Sequence, residues 1–176
     1  MVKVAESDKR IGLVFSPRDL VVEPSVEDDW IAWWLLQHQN LSAAFGNLEA
    51  NQPGSLLLRS SKLLQQPLNK IGEPTAVLVR TDLFDKVGLF NENMRQLVDM
   101  EMWVRLMATS HVGYIPRALS SVRVHGGQAT GRHTTEEIDR FEKDRLQHTL
   151  RTSAIYPLLH WRVKCVLRFG QLPFPC

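Results

Sequence analysis

The segment LVDMEMWVRL, residues 97–106, places an acid where a catalytic carboxylate could lie. At about 100° per residue, one face of a helix over this segment carries the apolar side chains that would pack on a core. Those side chains are Met102, Trp103, Leu106 and Met107. Asp99 projects near the middle of this apolar face. Glu101 and Arg105 share the opposite face, four residues apart and in the order that favours an exposed ion pair. Glu101 therefore has an ordinary surface role, and Asp99 does not.

Two interpretations of Asp99 follow from its position. An aspartate in the first turn of a helix accepts hydrogen bonds from unpaired N–H groups and suits the positive end of the helix dipole. Helical geometry alone favours this capping role. A carboxylate carried inward at a helix start can instead act as a general base, because partial burial keeps its pKa from being too low. The residues alone leave both interpretations open.

A second candidate, His125, ends the predicted strand LSSVRVH and precedes a Gly-Gly turn. Strand alternation puts His125 and Arg123 on the face opposite the two valines. Neutral imidazole is a good metal ligand, and the two glycines leave space for a ligand to approach. A histidine at a loop edge that makes one hydrogen bond is an equally weighted alternative.

Length and composition are those of an ordinary globular domain. The chain has 176 residues, 44% of them hydrophobic and 23% charged, enough for one domain with a substantial core. The net charge of +2 is too small to imply nucleic acid by itself. Cys165 and Cys176 lack metal-ligand spacing, so a reducing cytoplasm is the simplest setting. No signal peptide is evident, and the longest apolar run covers seven residues, 30–36.

The elements that must position Asp99 and His125 are strands and helices in mixed order. Apolar runs and turn residues predict strands over 11–15, 19–22, 75–79, 111–115 and 119–125. Helix signals predict helices over 81–87, 99–110 and 134–156. The run 75–79 has the character of a buried strand in a parallel sheet, so the pattern predicts an α/β domain. A Gly-rich phosphate loop, a serine nucleophile elbow and an HExxH pair are all absent from the sequence.

The combined pattern IGEPTAVLVRTDLFDKVGLFNENMRQLVDMEMWVRL and VGYIPRALSSVRVHGGQAT resembles the family 2 glycosyltransferases. In that family a strand ending in Arg leads to a short helix and a VGxF(D/N)E turn. An acidic motif then opens a helix containing Trp, and a later strand ends in R-x-H. The corresponding pieces here are Val79-Arg80, Val87–Glu92, Asp99 with Trp103, and Arg123–His125. The resemblance covers residues 10–130 and is specific as a set.

The resemblance implies a fold class: a partial GT-A (nucleotide-diphospho-sugar transferase-like) α/β domain with a mixed sheet and a C-terminal helical extension. We expect the acceptor-side domain over residues 1–133 and the extension over 134–176. The sequence departs from the family at Val98-Asp99, where many members have Glu-Asp, and at Asn91, where Asp is common. The family's N-terminal nucleotide-binding half, with its DxD metal motif, is expected to be missing from this chain.

The resemblance also implies roles for individual residues. Asp99 matches the general base, and His125 matches a residue that holds the metal or touches the diphosphate. Glu73, Arg123 and Gln128 are weaker candidates for substrate binding, with a structural role in a turn as the alternative for Glu73. A divalent cation, Mn²⁺ or Mg²⁺, is expected for the complete enzyme. The alternative that this chain alone holds none stays open.

The expected function is inverting transfer of a sugar from a nucleotide-diphospho-sugar to an acceptor hydroxyl. The isolated chain is expected to be incomplete or inactive. The alternative is a non-catalytic protein-interaction module derived from the same scaffold. Expected partners are a nucleotide sugar and a carbohydrate or lipid-linked acceptor, with no nucleic acid. A homodimer would cover an exposed sheet edge. Residues 158–169 could touch a membrane surface or dock on their own domain, and the expected location is cytoplasmic, with the inner membrane surface as an alternative.

Overall fold

A computed structural model describes residues 1–26, 29, 31–32, 45–125 and 136–170. The described part combines six strands with six α-helices and two short 3₁₀ turns, Pro74–Ala76 and Tyr156–Leu158. In chain order the elements are α1 (Val2–Ser7), β1 (Ile11–Phe15), β2 (Arg18–Val22), β3 (Asn51–Pro53), α2 (Gly54–Leu58), β4 (Val77–Val79), α3 (Asp82–Val87), α4 (Val98–Thr109), β5 (His111–Tyr114), β6 (Ser120–Val124), α5 (Glu136–Leu150) and α6 (Trp161–Phe169). The fold is therefore mixed α/β, as the sequence predicts.

The larger sheet has four strands in the order β3-β5-β1-β4. β1 lies parallel to β5 and antiparallel to β4, and β3 lies antiparallel to β5. All five residues of β1 are buried, which suits a strand covered on both faces. Leu13 and Phe15 join the main core, whereas Ile11 and Val14 pack with Ala5 of α1. β1 therefore contributes side chains to the cores on both faces of the sheet.

A second sheet joins β2 and β6 in parallel. Its register runs from Arg18 opposite Ser120 to Val22 opposite Val124. β2 begins three residues after β1 ends, so Arg18 lies just beyond the carboxyl end of β1. His125 follows the last residue of β6. The two sheets thus place Arg18 and His125 at the ends of strands.

Helix α4 is buried on nearly every side. Its core side chains are Met100, Met102, Trp103, Val104, Leu106 and Met107, each 1% exposed or less. The predicted pairing of Glu101 with Arg105 is present, with Nη2 of Arg105 2.7 Å from Oε2 of Glu101. The predicted exposure of that pair is wrong, because Glu101 is only 4% exposed. Thr149 of α5 donates a hydrogen bond to Oε1 of Glu101 at 2.8 Å, so α5 covers the face that the sequence pattern left to solvent.

Two predicted elements differ from those observed. The strand expected over 75–79 begins at Val77, because Pro74 lacks an N–H and starts a 3₁₀ turn. This strand, β4, is antiparallel and only half-buried, since it is the last in the sheet order. The helix expected to reach Tyr156 ends at Leu150. A continuous helix would turn Ile155 roughly 140° away from Leu150, whereas the turns after Leu150 bring both side chains into the core.

The C-terminal region shares the core with the rest of the domain. Leu146 and Leu150 of α5 belong to the cluster that contains Trp103, as do Val163 and Leu167 of α6. The segment 158–169 therefore docks on its own domain through one face. None of the described helices has the length and apolar composition needed to cross a bilayer.

The buried carboxylate of Glu142, in α5, accepts hydrogen bonds from N–H groups at the start of α4. Glu142 is 1% exposed and accepts three backbone hydrogen bonds, from the N–H groups of Arg95, Gln96 and Leu97. The donor–acceptor distances are 2.5, 2.7 and 2.6 Å. These N–H groups precede the first turn of α4, where a negative charge also suits the helix dipole. Glu142 therefore satisfies the N–H groups just before α4, at the helix start where capping is one of the two interpretations of Asp99.

Glu142→Gln should lower the free energy of unfolding by about 1–3 kcal/mol, because a neutral amide accepts these hydrogen bonds more weakly and turns donors toward them. Urea unfolding at pH 7 measures the effect. The matched control is Asp144→Asn, an exposed acid on the same helix, which should change stability by less than about 0.5 kcal/mol. Equal effects of the two substitutions would contradict the assigned role of Glu142.

Candidate active site

Asp99 is the second residue of α4 and is half-buried. Its Oδ1 accepts a hydrogen bond from the backbone N–H of Met100 at 2.7 Å, and its Oδ2 accepts one from Nδ2 of Asn69, also at 2.7 Å. Each carboxylate oxygen keeps a further lone pair. Asp99 thus binds one N–H of its own helix, as a capping residue does, and remains able to accept a proton.

Asn69 joins the Asp99 carboxylate to a tight turn. Its Oδ1 accepts hydrogen bonds from the N–H groups of Ile71 and Gly72 at 3.1 and 2.9 Å. Its Nδ2 also donates to the carbonyl of Gly72 at 3.0 Å. Nε1 of Trp103 donates to that same carbonyl at 2.9 Å. Gly72 has a φ of +121°, a backbone conformation that favours glycine. The turn is therefore fixed to α4 at two points.

Glu73 follows this turn and is held by Arg18. Nη2 of Arg18 donates to Oε1 of Glu73 at 3.0 Å, and Nε lies 2.6 Å from Oε2. The Arg18 side chain is 3% exposed and that of Glu73 is 30% exposed. A buried guanidinium that contacts both carboxylate oxygens fixes their orientation. Glu73 therefore presents a negative charge at the carboxyl end of β1, beside the turn that carries Asn69.

Burial raises the pKa of the Asp99 carboxyl to about 6. The hydrogen bond from Met100 lowers this pKa, the negative charge of Glu73 raises it, and the hydrogen bond from Asn69 lowers it. Desolvation is the largest of these effects because the charged form loses contact with water. At pH 7 such a group is mainly ionised and yet binds a proton far more readily than an exposed aspartate. These are the properties of a general base.

Lys70 anchors the segment that holds Asn69. It is 1% exposed, and its Nζ donates to the backbone carbonyls of Leu63, Gln65 and Pro67 at 3.2, 2.7 and 2.6 Å. Burial lowers the pKa of the Lys70 amine to about 8. Three donors therefore meet three carbonyl acceptors, which satisfies the ammonium group inside the protein. The lysine closes the loop 63–70 on itself, immediately before the turn that binds Asp99.

The other predicted site residues lie on or near β6. Arg123 has a side chain that is 71% exposed and pairs with Glu23 at 3.4 Å. His125 is half-buried directly after the strand. The predicted alternation is confirmed, since Val124 is 1% exposed while Arg123 points to solvent. Gln128 lies outside the described residues. Of the predicted set, the structure brings Glu73 close to Asp99 through the Asn69 turn.

The sequence interpretation missed Arg18, Asn69 and Lys70. An asparagine shortly before a glycine is a typical turn residue, and this signal could have identified Asn69. Arg18 and Lys70 carry no comparable signal, because their burial depends on segments distant in the chain. Within the described ranges, no three His, Cys, Asp or Glu side chains converge on a point that could hold a metal ion.

Part of this chain is similar in sequence to a known protein. Over 118 residues, or 67% of this chain, the protein is 36% identical to an uncharacterized protein of Mycobacterium tuberculosis (strain CDC 1551 / Oshkosh). The match covers 34% of that protein, so the chain spans about a third of the length of this relative. No family model matches the chain, and no solved structure matches it.

Asp99→Asn should stabilise the protein at alkaline pH and not at acid pH. The pKa of Asp99 is raised from 3.8 to about 6, so ionisation costs stability as the pH rises through this range. The full shift corresponds to roughly 3 kcal/mol, and partial solvent exposure reduces it to about 1–2 kcal/mol. Urea unfolding of both proteins at pH 4 and pH 8 gives the comparison. A difference in unfolding free energy that is the same at both pH values would contradict the raised pKa.

Lys70→Met should lower the free energy of unfolding by about 3 kcal/mol, because three backbone carbonyl groups lose their buried donor. It should also shift the pKa of Asp99, since the turn that holds Asn69 loosens. Carboxyl ¹³C NMR titration measures that pKa. Lys62→Met is the control, because Lys62 is exposed directly before this loop, and it should leave both quantities unchanged. If the pKa of Asp99 were unaltered in Lys70→Met, the loop 63–70 would not influence the Asp99 site.

Proposed function

We propose that this chain is the acceptor-side part of an inverting glycosyltransferase with a GT-A fold, in which Asp99 is the general base. The observation that carries the proposal is the Asp99 carboxyl itself. It is half-buried, has a pKa of about 6, and is held by Asn69 near the carboxyl end of β1. Ligand sites of α/β sheets lie characteristically at the carboxyl ends of the strands.

The proposed reaction joins an acceptor hydroxyl to the anomeric carbon of a nucleotide-diphospho-sugar. Asp99 accepts the hydroxyl proton while the hydroxyl oxygen attacks that carbon from the face opposite the diphosphate. The bond between the anomeric carbon and the diphosphate oxygen breaks, and the nucleoside diphosphate departs with the bonding electrons. One displacement of this kind inverts the configuration at the anomeric carbon. Asn69 keeps the carboxylate oriented, and Glu73 keeps it basic.

Four further residues have proposed contacts with substrates. Glu73 has one edge toward solvent and accepts hydrogen bonds from acceptor hydroxyl groups, while Arg18 fixes its other side. His125 is assigned to the diphosphate or to its metal, and Arg123 and Gln128 to weaker polar contacts. A divalent cation, Mn²⁺ or Mg²⁺, would neutralise charge on the departing diphosphate when it is bound. The donor-binding part of the enzyme is expected outside these 176 residues.

Nucleoside diphosphate release should depend on Asp99 and on pH. We expect the complete gene product, supplied with UDP- or GDP-sugars, Mn²⁺ and an acceptor, to show a kcat/KM that rises with pH and levels off above about 6, as Asp99 loses its proton. Asp99→Asn should lower kcat by about 10²–10⁴-fold with a small change in KM. Coupled detection of the released diphosphate measures both parameters.

The matched control is Asp85→Asn, because Asp85 is an exposed acid on α3. It should leave kcat and the pH profile unchanged. Retained activity in Asp99→Asn would exclude Asp99 as the base. A complete gene product that binds no nucleotide sugar in calorimetric titration would instead support the non-catalytic interaction module.

A further inference from the structure

Helix α6 has two apolar faces with different surroundings. Val163 and Leu167 point into the main core and are 1% and 2% exposed. Trp161 and Phe169 are 57% and 62% exposed, at the two ends of the helix. Packing on the domain thus accounts for one face of α6 and leaves two large aromatic rings in solvent. Both rings are therefore available for contact with a partner.

Basic side chains accompany these rings. The Arg162 guanidinium lies 5.3 Å from the ring centre of Trp161, and that of Arg168 lies 5.5 Å from the ring centre of Phe169. Lys164 occupies the middle of the helix, with Nζ 5.4 Å from the ring centre of Tyr156. The outward surface of α6 therefore consists of aromatic rings and cations together. We call this surface, Trp161, Arg162, Lys164, Arg168 and Phe169, the basic aromatic face.

The charge of the chain is unevenly distributed along the sequence. Residues 145–176 contain five basic residues and no acidic residue, whereas residues 1–144 contain sixteen basic and nineteen acidic residues. The small net charge of +2 thus conceals an acidic part and a strongly basic C-terminal part. A basic segment without acids is attracted to an anionic surface.

A cavity of about 400 Å³ lies at the C-terminal end of α6 and is lined by Arg151, Tyr156, Leu167 and Arg168. Nη2 of Arg151 donates to the carbonyl of Leu167, so this guanidinium is held at the end of the helix. Its charge also suits the negative end of the helix dipole there. Two guanidinium groups on one cavity form a favourable place for a phosphate group.

We propose that the basic aromatic face of α6 docks on an anionic lipid bilayer. Trp161 and Phe169 enter the boundary between headgroups and acyl chains, and the cations, with Arg151, bind lipid phosphates. The rings are eight residues apart, or roughly 12 Å along the helix, so both can reach one planar surface. Exposed Trp and Phe beside Lys and Arg are the composition of helices that lie in a membrane interface. A DNA duplex would use the cations, yet its bases are already stacked and would leave the apolar Phe169 ring without a matching environment.

Vesicle flotation with the 176-residue chain tests the proposal. We expect binding to phosphatidylcholine vesicles that contain phosphatidylglycerol to be at least about ten-fold tighter than to phosphatidylcholine alone, and to weaken with salt. The double variant Trp161→Ala/Phe169→Ala should bind at least about ten-fold more weakly. Lys164→Gln/Arg168→Gln should lose about five-fold per charge. Far-UV circular dichroism should show each variant folded, since the substituted side chains lie outside the core.

Two controls isolate the basic aromatic face. Leu56→Ala removes a side chain that is 53% exposed on α2, and Lys3→Gln/Lys86→Gln removes two exposed charges elsewhere. Both should bind vesicles as the unaltered chain does. Equal affinity for neutral and anionic vesicles, or full binding by the aromatic double variant, would overturn the proposal. So would binding of inorganic phosphate without vesicles, or a DNA duplex that displaces the vesicles at equal concentration. The test does not depend on glycosyl transfer.

Discussion

The hydrogen bonds of a single side chain, Asn69, hold together two parts of the molecule that are thirty residues apart in sequence. Its amide group binds the Asp99 carboxylate on one side and the backbone of Gly72 on the other. Trp103 fixes the same Gly72 carbonyl from the helix. Movement of the turn would leave buried donors and acceptors unpaired, which is costly. The relative position of α4 and of the segment leading to β4 therefore depends on this amide.

The pKa of Asp99 results from opposing effects of burial, a neighbouring charge and hydrogen bonds. Burial and the charge of Glu73 favour the protonated carboxyl, whereas hydrogen bonds from Met100 and Asn69 favour the ionised one. Burial prevails because the hydrophobic face of α4 carries the carboxylate toward the core. Arg18 limits the influence of Glu73, since its guanidinium compensates part of that negative charge. The same residues that position Asp99 thus also set its proton affinity.

Sequence patterns predicted the elements well and the contacts between them poorly. The apolar run of β1 and the stripe on α4 depend on local periodicity, and both appear with nearly the expected bounds. Glu101 was expected in solvent because periodicity describes one helix and contains no information about α5, which packs over it. Asp99 was identified because a polar residue on an apolar face is itself a local anomaly. Lys70 showed no anomaly, since its acceptors are backbone carbonyls that carry no sequence signature.

The cap that Glu142 provides has a consequence for the order in which the molecule is assembled. Its hydrogen bonds to residues 95–97 span 45 to 47 residues of chain. The start of α4 therefore lacks its acceptor until synthesis has passed α5 and a long loop has closed, which costs conformational entropy. During translation the sheet strands can pair first, while the turn containing Asp99 frays. The first turn of α4, which contains Asp99, is thus expected to acquire its final geometry late in folding.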